Sequence, residues 1–279
     1  MANDQALFDR ILAWTQDNLA GGDMRQRLPA WLWGRDAKGG WQVLDSNPAS
    51  DSDLWLAYAL LEGARLWRRP ALQAIAEGML QQVRAREIVQ LPELGPMLLP
   101  GPQGFVEGDA TRINPSYLPL PLLRRFASVD RKGPWPALAA NTVRMLQQSS
   151  PHGFAPDWTA WQAGGFVADP VKGAVGSYDA IRCYTWAGMT APRDPLFRPQ
   201  LAALSGPLQR LRSGAAMWEK IDTRSGQGQG EGNYGFRAAL LPYLLAQGEN
   251  ERARALQASL PSAEQQRADA PAYYSQMLS

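Results

Sequence analysis

Apolar residues recur at helical spacing from the start of the chain. Between Asp4 and Leu19, Leu7, Ile11, Leu12, Trp14 and Leu19 fall near a 3.6-residue repeat, and Gly21-Gly22 then ends the run. Residues 50–68 are apolar on most sides, the pattern of a buried helix, with Ser50 or Asp51 as its cap. Pro70 suits the first turn of the next helix, which runs to about Glu87. The same reasoning predicts helices over 116–127, 135–148, 177–189, 196–212, 234–247, 249–260 and 263–278. One short strand is expected at 41–44 inside a turn-rich stretch, and residues 91–115 read as a long loop. Strands are otherwise scarce. The class is all-α, with helical hairpins stacked around one centre. No composition shift marks a linker, so 1–279 reads as one domain, and no repeat of 20 to 50 residues marks a solenoid.

Composition narrows what such a fold could do. Lys and Arg total 28 and Asp and Glu 26, a net charge of +2, which removes the electrostatic case for nucleic acid or a membrane surface as partner. The longest apolar run, Leu54 to Leu61, is far shorter than the ~20 residues a membrane helix needs. No basic segment followed by an apolar one opens the chain, so no signal peptide is expected. Cys183 and His152 are single, which excludes an internal disulfide and an ordinary zinc site, and neither metal nor cofactor is expected. His152 lies in a Pro-His-Gly turn and reads as a surface residue. Chemistry therefore falls to carboxylates. Among 11 tryptophans, Trp31, Trp33, Trp41, Trp135, Trp158 and Trp161 lie in loop-like surroundings, whereas Trp55 and Trp67 read as core. Exposed aromatic faces suit sugar rings, or equally a protein partner.

Four constellations could carry function. Asp51 and Asp53 open the buried helix, where the helix dipole would hold both ionised; plain capping explains them equally well. Asp179 and Arg182 are three apart in Ser177-Tyr178-Asp179-Ala180-Ile181-Arg182, so the arginine can orient the carboxylate. Asn114-Pro115-Ser116-Tyr117 is a loop-to-helix junction that presents a tyrosine. The Gly-rich stretch 226–232 follows no strand and lacks a Lys-Ser, so it reads as a flexible loop and not a phosphate cradle.

Taken in order, these blocks resemble a known family. Asn47-Pro48-Ala49-Ser50-Asp51-Ser52-Asp53-Leu54-Trp55 looks like the signature of glycoside hydrolase family 8. Leu28-Pro29-Ala30-Trp31-Leu32-Trp33-Gly34, Met97-Leu98-Leu99-Pro100-Gly101, Asn114-Pro115-Ser116-Tyr117-Leu118-Pro119, Pro156-Asp157-Trp158 and the Asp179 block resemble the periplasmic endoglucanases encoded with bacterial cellulose synthase. The resemblance implies an (α/α)6 barrel that cuts β-1,4-glucan with inversion, in a periplasmic or secreted setting, with a possible link to the cellulose synthase complex. It implies Asp179 as general base and Asp51 as the residue that binds and distorts the sugar. Tyr117 and Arg182 would position water and base, and Trp31, Trp33, Asp53, Asn114 and Trp158 would bind substrate. The family's general acid is a glutamate in a Ser-Glu-Gly segment ahead of the first helix here. That tripeptide is absent from the 279 residues, so the first barrel helix, the acid and the C-terminal stretch are expected to be missing. Glu107, Glu219 and Glu231 are the loop glutamates that could substitute. A glucan-binding protein without the acid, or a helical interaction scaffold, would share the same loops.

Overall fold

The computed structural model describes residues 3–268 and 273–279. Contacts gather into two compact units, one of residues Met1–Gly108 with Arg124–Ala137, the other of Asp109–Leu123 with Leu138–Ser279.

In the first unit, Asp4 caps helix α1 (Gln5–Leu19) by accepting a hydrogen bond from the Leu7 amide, and Gly21 and Gly22 end it at positive φ. Helices α2 (Ser50–Trp67) and α3 (Pro70–Arg86) form a hairpin. Arg68 turns the chain in the left-handed region, and Pro70 starts α3 where no backbone donor is needed. Leu54, Ala57, Leu60, Leu61 and Ala64 of α2 and Leu72, Ala76, Met79, Leu80 and Val83 of α3 are buried. Each large side chain among them contributes about 1.5–3 kcal/mol. Ser50 and Asp51 do not cap α2. Its N-cap is Ala49, with no side-chain cap bond, and the Ser50 amide donates instead to the Pro100 carbonyl at 2.9 Å. Two antiparallel hairpins complete the unit, Leu32–Arg35 with Trp41–Asp45 and Ile88–Leu91 with Gly95–Leu98.

The second unit is built on antiparallel strands Ala110–Ile113, Thr159–Gln162 and Gly165–Ala168, on a second sheet of Val175–Gly176, Trp218–Asp222 and Gln227–Glu231, and on helices. After helices α4 (Leu120–Val129) and α5 (Trp135–Ser149), which cross from one unit's residues to the other's, come α6 (Ile181–Met189), α7 (Phe197–Ala203), α8 (Gly206–Arg212), α9 (Tyr234–Ala239) and α10 (Leu241–Ala246). Tyr184 of α6 meets Tyr243 of α10 edge to face at 5.8 Å, and the Tyr243 hydroxyl donates to the Leu204 carbonyl.

Several expectations are corrected. Strands are not scarce, and 91–115 holds Gly95–Leu98 and Ala110–Ile113 rather than one long loop. The stretch 226–232 is mostly strand Gln227–Glu231, hidden because it carries no apolar alternation. The helix predicted over 196–212 breaks before Gly206-Pro207, and that over 234–247 breaks at Leu240 ahead of Pro242, which has no amide to donate. The helix predicted over 116–127 starts as a single 3-10 turn, Pro115–Tyr117, and resumes at Leu120 after Pro119. Of 263–278, Ala263–Ala268 and Tyr273–Leu278 are helical, and 269–272 lie outside the described residues. No helix among the described residues is long and apolar enough to cross a membrane.

Candidate active site

Asp179 lies in the turn 177–180 that feeds α6, not within the helix as the i,i+3 spacing suggested. Asp157 ties that turn down, since its Oδ1 accepts from the amides of Ser177 and Ala180, both at 2.8 Å. Burial pushes the Asp157 carboxyl up, against the pull of those two amides.

Three donors converge on Asp179. Arg182 Nη2 reaches Oδ1 at 2.9 Å, while Asn114 Nδ2 and Trp158 Nε1 reach Oδ2 at 3.1 and 3.2 Å. The side chain nevertheless remains 35% exposed, so solvent or a ligand can still approach it. Each donor is itself oriented. Asn114 caps the 3-10 turn, and its Oδ1 accepts from the Ser116 amide and hydroxyl, which leaves its NH2 for Asp179. Ser116 Oγ also accepts from Arg182, at 2.6 Å from Nη2 and 3.1 Å from Nε. The Arg182 guanidinium lies 5.6 Å from the centre of the Tyr117 ring, and Tyr117 leans on Trp158 at 6.3 Å. Behind Trp158, Arg112 stacks at 5.2 Å and forms a buried pair with Asp169 at 2.8 Å. A carboxylate held by fixed donors, with a face left open, can take a proton from a water molecule.

The structure thus brings Asp179, Arg182, Tyr117, Asn114 and Trp158 together in the second unit. Asp51, Asp53, Trp31 and Trp33 belong to the first. Asp51 is half-buried on the first turn of α2. Asp53 is fully buried and presents no atom to a ligand, so it is not a substrate-binding residue; Asn114 is buried too, and serves Asp179. Nor is Asp53 held ionised by the helix end: burial and then the neighbouring Glu87 carboxyl push its pKa well above the usual carboxylate range. Trp31 is 54% exposed with its Nε1 fixed by Asp45 at 2.8 Å, whereas Trp33 is half-buried and edge-on to Trp14. Trp135 and Trp161, expected in loops, are core residues on α5 and a strand. Glu107 and Glu231 are exposed, and Glu219 accepts the Tyr178 hydroxyl at 3.0 Å. Among the described residues no three Asp, Glu, His or Cys side chains gather as metal ligands would.

Sequence reasoning passed over Ser116, Asp157, the Arg112–Asp169 pair and Glu87. Ser116 and Asp157 sit inside blocks already singled out, so adjacency was a usable signal. Arg112, Asp169 and Glu87 carry none, because each meets its partner only through the fold.

The model of the glycosyl hydrolases family 8 matches residues 1–279. The chain is 53% identical over 276 residues to an endoglucanase of Xanthomonas axonopodis pv. citri, covering 99% of this chain and 72% of that protein. It is 42% identical over 257 residues to an endoglucanase of Escherichia coli K12, covering 92% of this chain and 68% of that protein. Among solved structures, the endo-1,4-D-glucanase of Vibrio fischeri ES114 superposes with a TM-score of 0.90 at 38% identity, over 99% of this chain and 80% of that one.

Proposed function

The chain belongs to the glycosyl hydrolases family 8, and we propose that it cuts β-1,4-glucan internally, as an inverting endoglucanase. The observation that carries the reading is the Asp179 carboxyl, held by Arg182, Asn114 and Trp158 yet open on one side. Inversion needs a base that draws a proton from water as the water attacks the anomeric carbon from the face opposite the leaving oxygen. Asp179 takes that role. Arg182 holds its orientation, and Tyr117, stacked against Arg182, takes the role of positioning the water. In the first unit, Asp51 takes the role of binding and distorting the sugar, and Trp31 and Trp33 that of offering ring faces to glucose units. Trp158 takes part in both holding the base and contacting glucan. These residues supply the water-activating half of the reaction.

The proposal extends to the (α/α)6 barrel as architecture of one catalytic domain, and to a periplasmic or secreted setting linked to cellulose synthesis. Relatives named endoglucanase at 42–53% identity support the reaction class. The test is reducing-end release from carboxymethylcellulose, read beside the anomer formed first by proton NMR. In a form of the protein that carries the acid, hydrolysis with the α-anomer first is expected, and Asp179→Asn should lower kcat at least ~10²-fold, the usual worth of a general base, with cello-oligosaccharide binding kept. A β-anomer as first product, or near-normal turnover in that variant, overturns the assignment.

A further inference from the structure

Behind Asp51 lies a pair of carboxyl groups that the proposed reaction does not use. Asp53, one turn into α2, and Glu87, just after α3, are each 0% exposed. Two backbone hydrogen bonds bring their segments together: the Leu99 amide donates to the Glu87 carbonyl at 2.8 Å, and the Ser50 amide to the Pro100 carbonyl at 2.9 Å. The side chains face each other within hydrogen-bond reach. Neither Oδ1 and Oδ2 of Asp53 nor Oε1 and Oε2 of Glu87 meets any donor, and the buried Ser50 hydroxyl is also without a partner.

Two ionised carboxylates in that position would be four acceptors with nothing to accept, and two like charges out of water. One proton between them removes the like-charge repulsion and gives one carboxylate oxygen a donor, because a protonated carboxyl donates to its neighbour. The cations of the last turn of α3 are engaged elsewhere, Arg84 with Asp130 and Arg86 with Gln82. Further along α2, Glu62 is held by Arg65 and Arg125. The charged group that bears on the pair is Asp51, which disfavours a second negative charge beside it.

We infer that Asp53 and Glu87 share a proton, and that this bond fixes the first turn of α2 so that Asp51 is held in place. Both are positioning residues. This rests on the reading of Asp51 as a sugar-binding residue. Burial drives the Glu87 carboxyl up to about 8, and drives Asp53 upward as well. Raising the pH past that range strips the pair of its last proton, leaves two repelling charges, and loosens the turn that bears Asp51.

The test combines infrared spectroscopy with pH–rate profiles. At neutral pH the carbonyl stretch of a protonated carboxyl should be present, and it should be lost or shifted in Glu87→Gln and in Asp53→Asn. Glu87→Ala, which leaves Asp53 without a partner, should lower kcat/KM by about 10- to 100-fold, the scale of a misplaced binding group. Glu87→Gln, whose amide can donate to Asp53, should recover most of that loss and move the alkaline limb upward by about one pH unit. A thermal melt of each variant separates misfolding from misplacement. Absence of the protonated-carboxyl band, or a Glu87→Gln variant with the same alkaline limb as the parent, overturns the inference. Asp51→Asn tests the underlying reading by itself: full activity there, with the band intact, removes the role of Asp51 and leaves the shared proton standing.

Discussion

Exposure separates the tryptophans more sharply than their neighbours in sequence do. Trp31 and Trp135 both lie in Pro-containing stretches, yet Trp31 is 54% exposed and Trp135 is at 0%. The first keeps its indole N–H on Asp45, so its ring is presented at a fixed angle. The second donates to Asp130 at 2.8 Å and packs on Phe126 at 5.2 Å. Trp31→Ala should therefore weaken cello-oligosaccharide binding while leaving the melting temperature within a few degrees. Trp135→Ala should instead cost about 3–5 kcal/mol of stability, the usual loss for a large buried ring. Titration calorimetry beside denaturant melts reads both. Equal destabilisation by the two would show that Trp31 is packing and not presentation.

At the scale of elements, glycine decides how near two helices may come. A Cβ on Gly188 of α6 would stand 2.2 Å from the Pro242 carbonyl carbon of α10, so the two backbones are in contact there. Gly188→Ala should thus force the helices apart and lower stability by about 1–3 kcal/mol, the scale of overpacking, as read by urea denaturation. An unchanged midpoint would mean the contact yields without strain. The long periodic helices α1, α2 and α3 were legible because a single apolar face, or an apolar surround, sets a 3.6-residue signal. What stayed hidden has physical causes. Strand Ala110–Ile113 is buried on both faces and Gln227–Glu231 has no apolar residue, so neither alternates. Asp179 and Arg182 were legible as a local pair, whereas Asn114 and Trp158, each singled out for other reasons, reach Asp179 across 65 and 21 residues, a meeting that no local pattern records. Glu87 could not be found from sequence, since its partner is 34 positions away (87 − 53) on another helix.

For the molecule as a whole, two groups of carboxyls make stability depend on pH in opposite senses. Hydrogen bonds to Arg25 lower the Asp23 carboxyl, backbone and side-chain donors lower Asp45 and Asp222, and Arg212 lowers Glu249. Glu62 is lowered as well, because its bonds to Arg125 and Arg65 outweigh the burial that opposes them. A carboxyl whose folded-state pKa is depressed stabilises above its unfolded value, and that contribution is lost as pH falls through the folded value. These groups therefore weaken the fold below about pH 4. Asp53 and Glu87 act the other way. Their folded-state pKa values are raised, Glu87 to about 8, so the fold keeps their protons while the unfolded chain has already released them. Their contribution is complete below about pH 4 and is lost as pH rises towards 8. Melting temperature against pH should accordingly peak in mildly acidic solution and decline towards pH 8. In Glu87→Gln the acid limb should remain, because the lowered carboxyls keep their donors, while the decline above the peak should flatten. A parent protein whose melting temperature stays level from pH 5 to 8, or a Glu87→Gln variant with the parent's full slope there, would show that Asp53 and Glu87 bear no raised pKa and that water or a cation satisfies them instead.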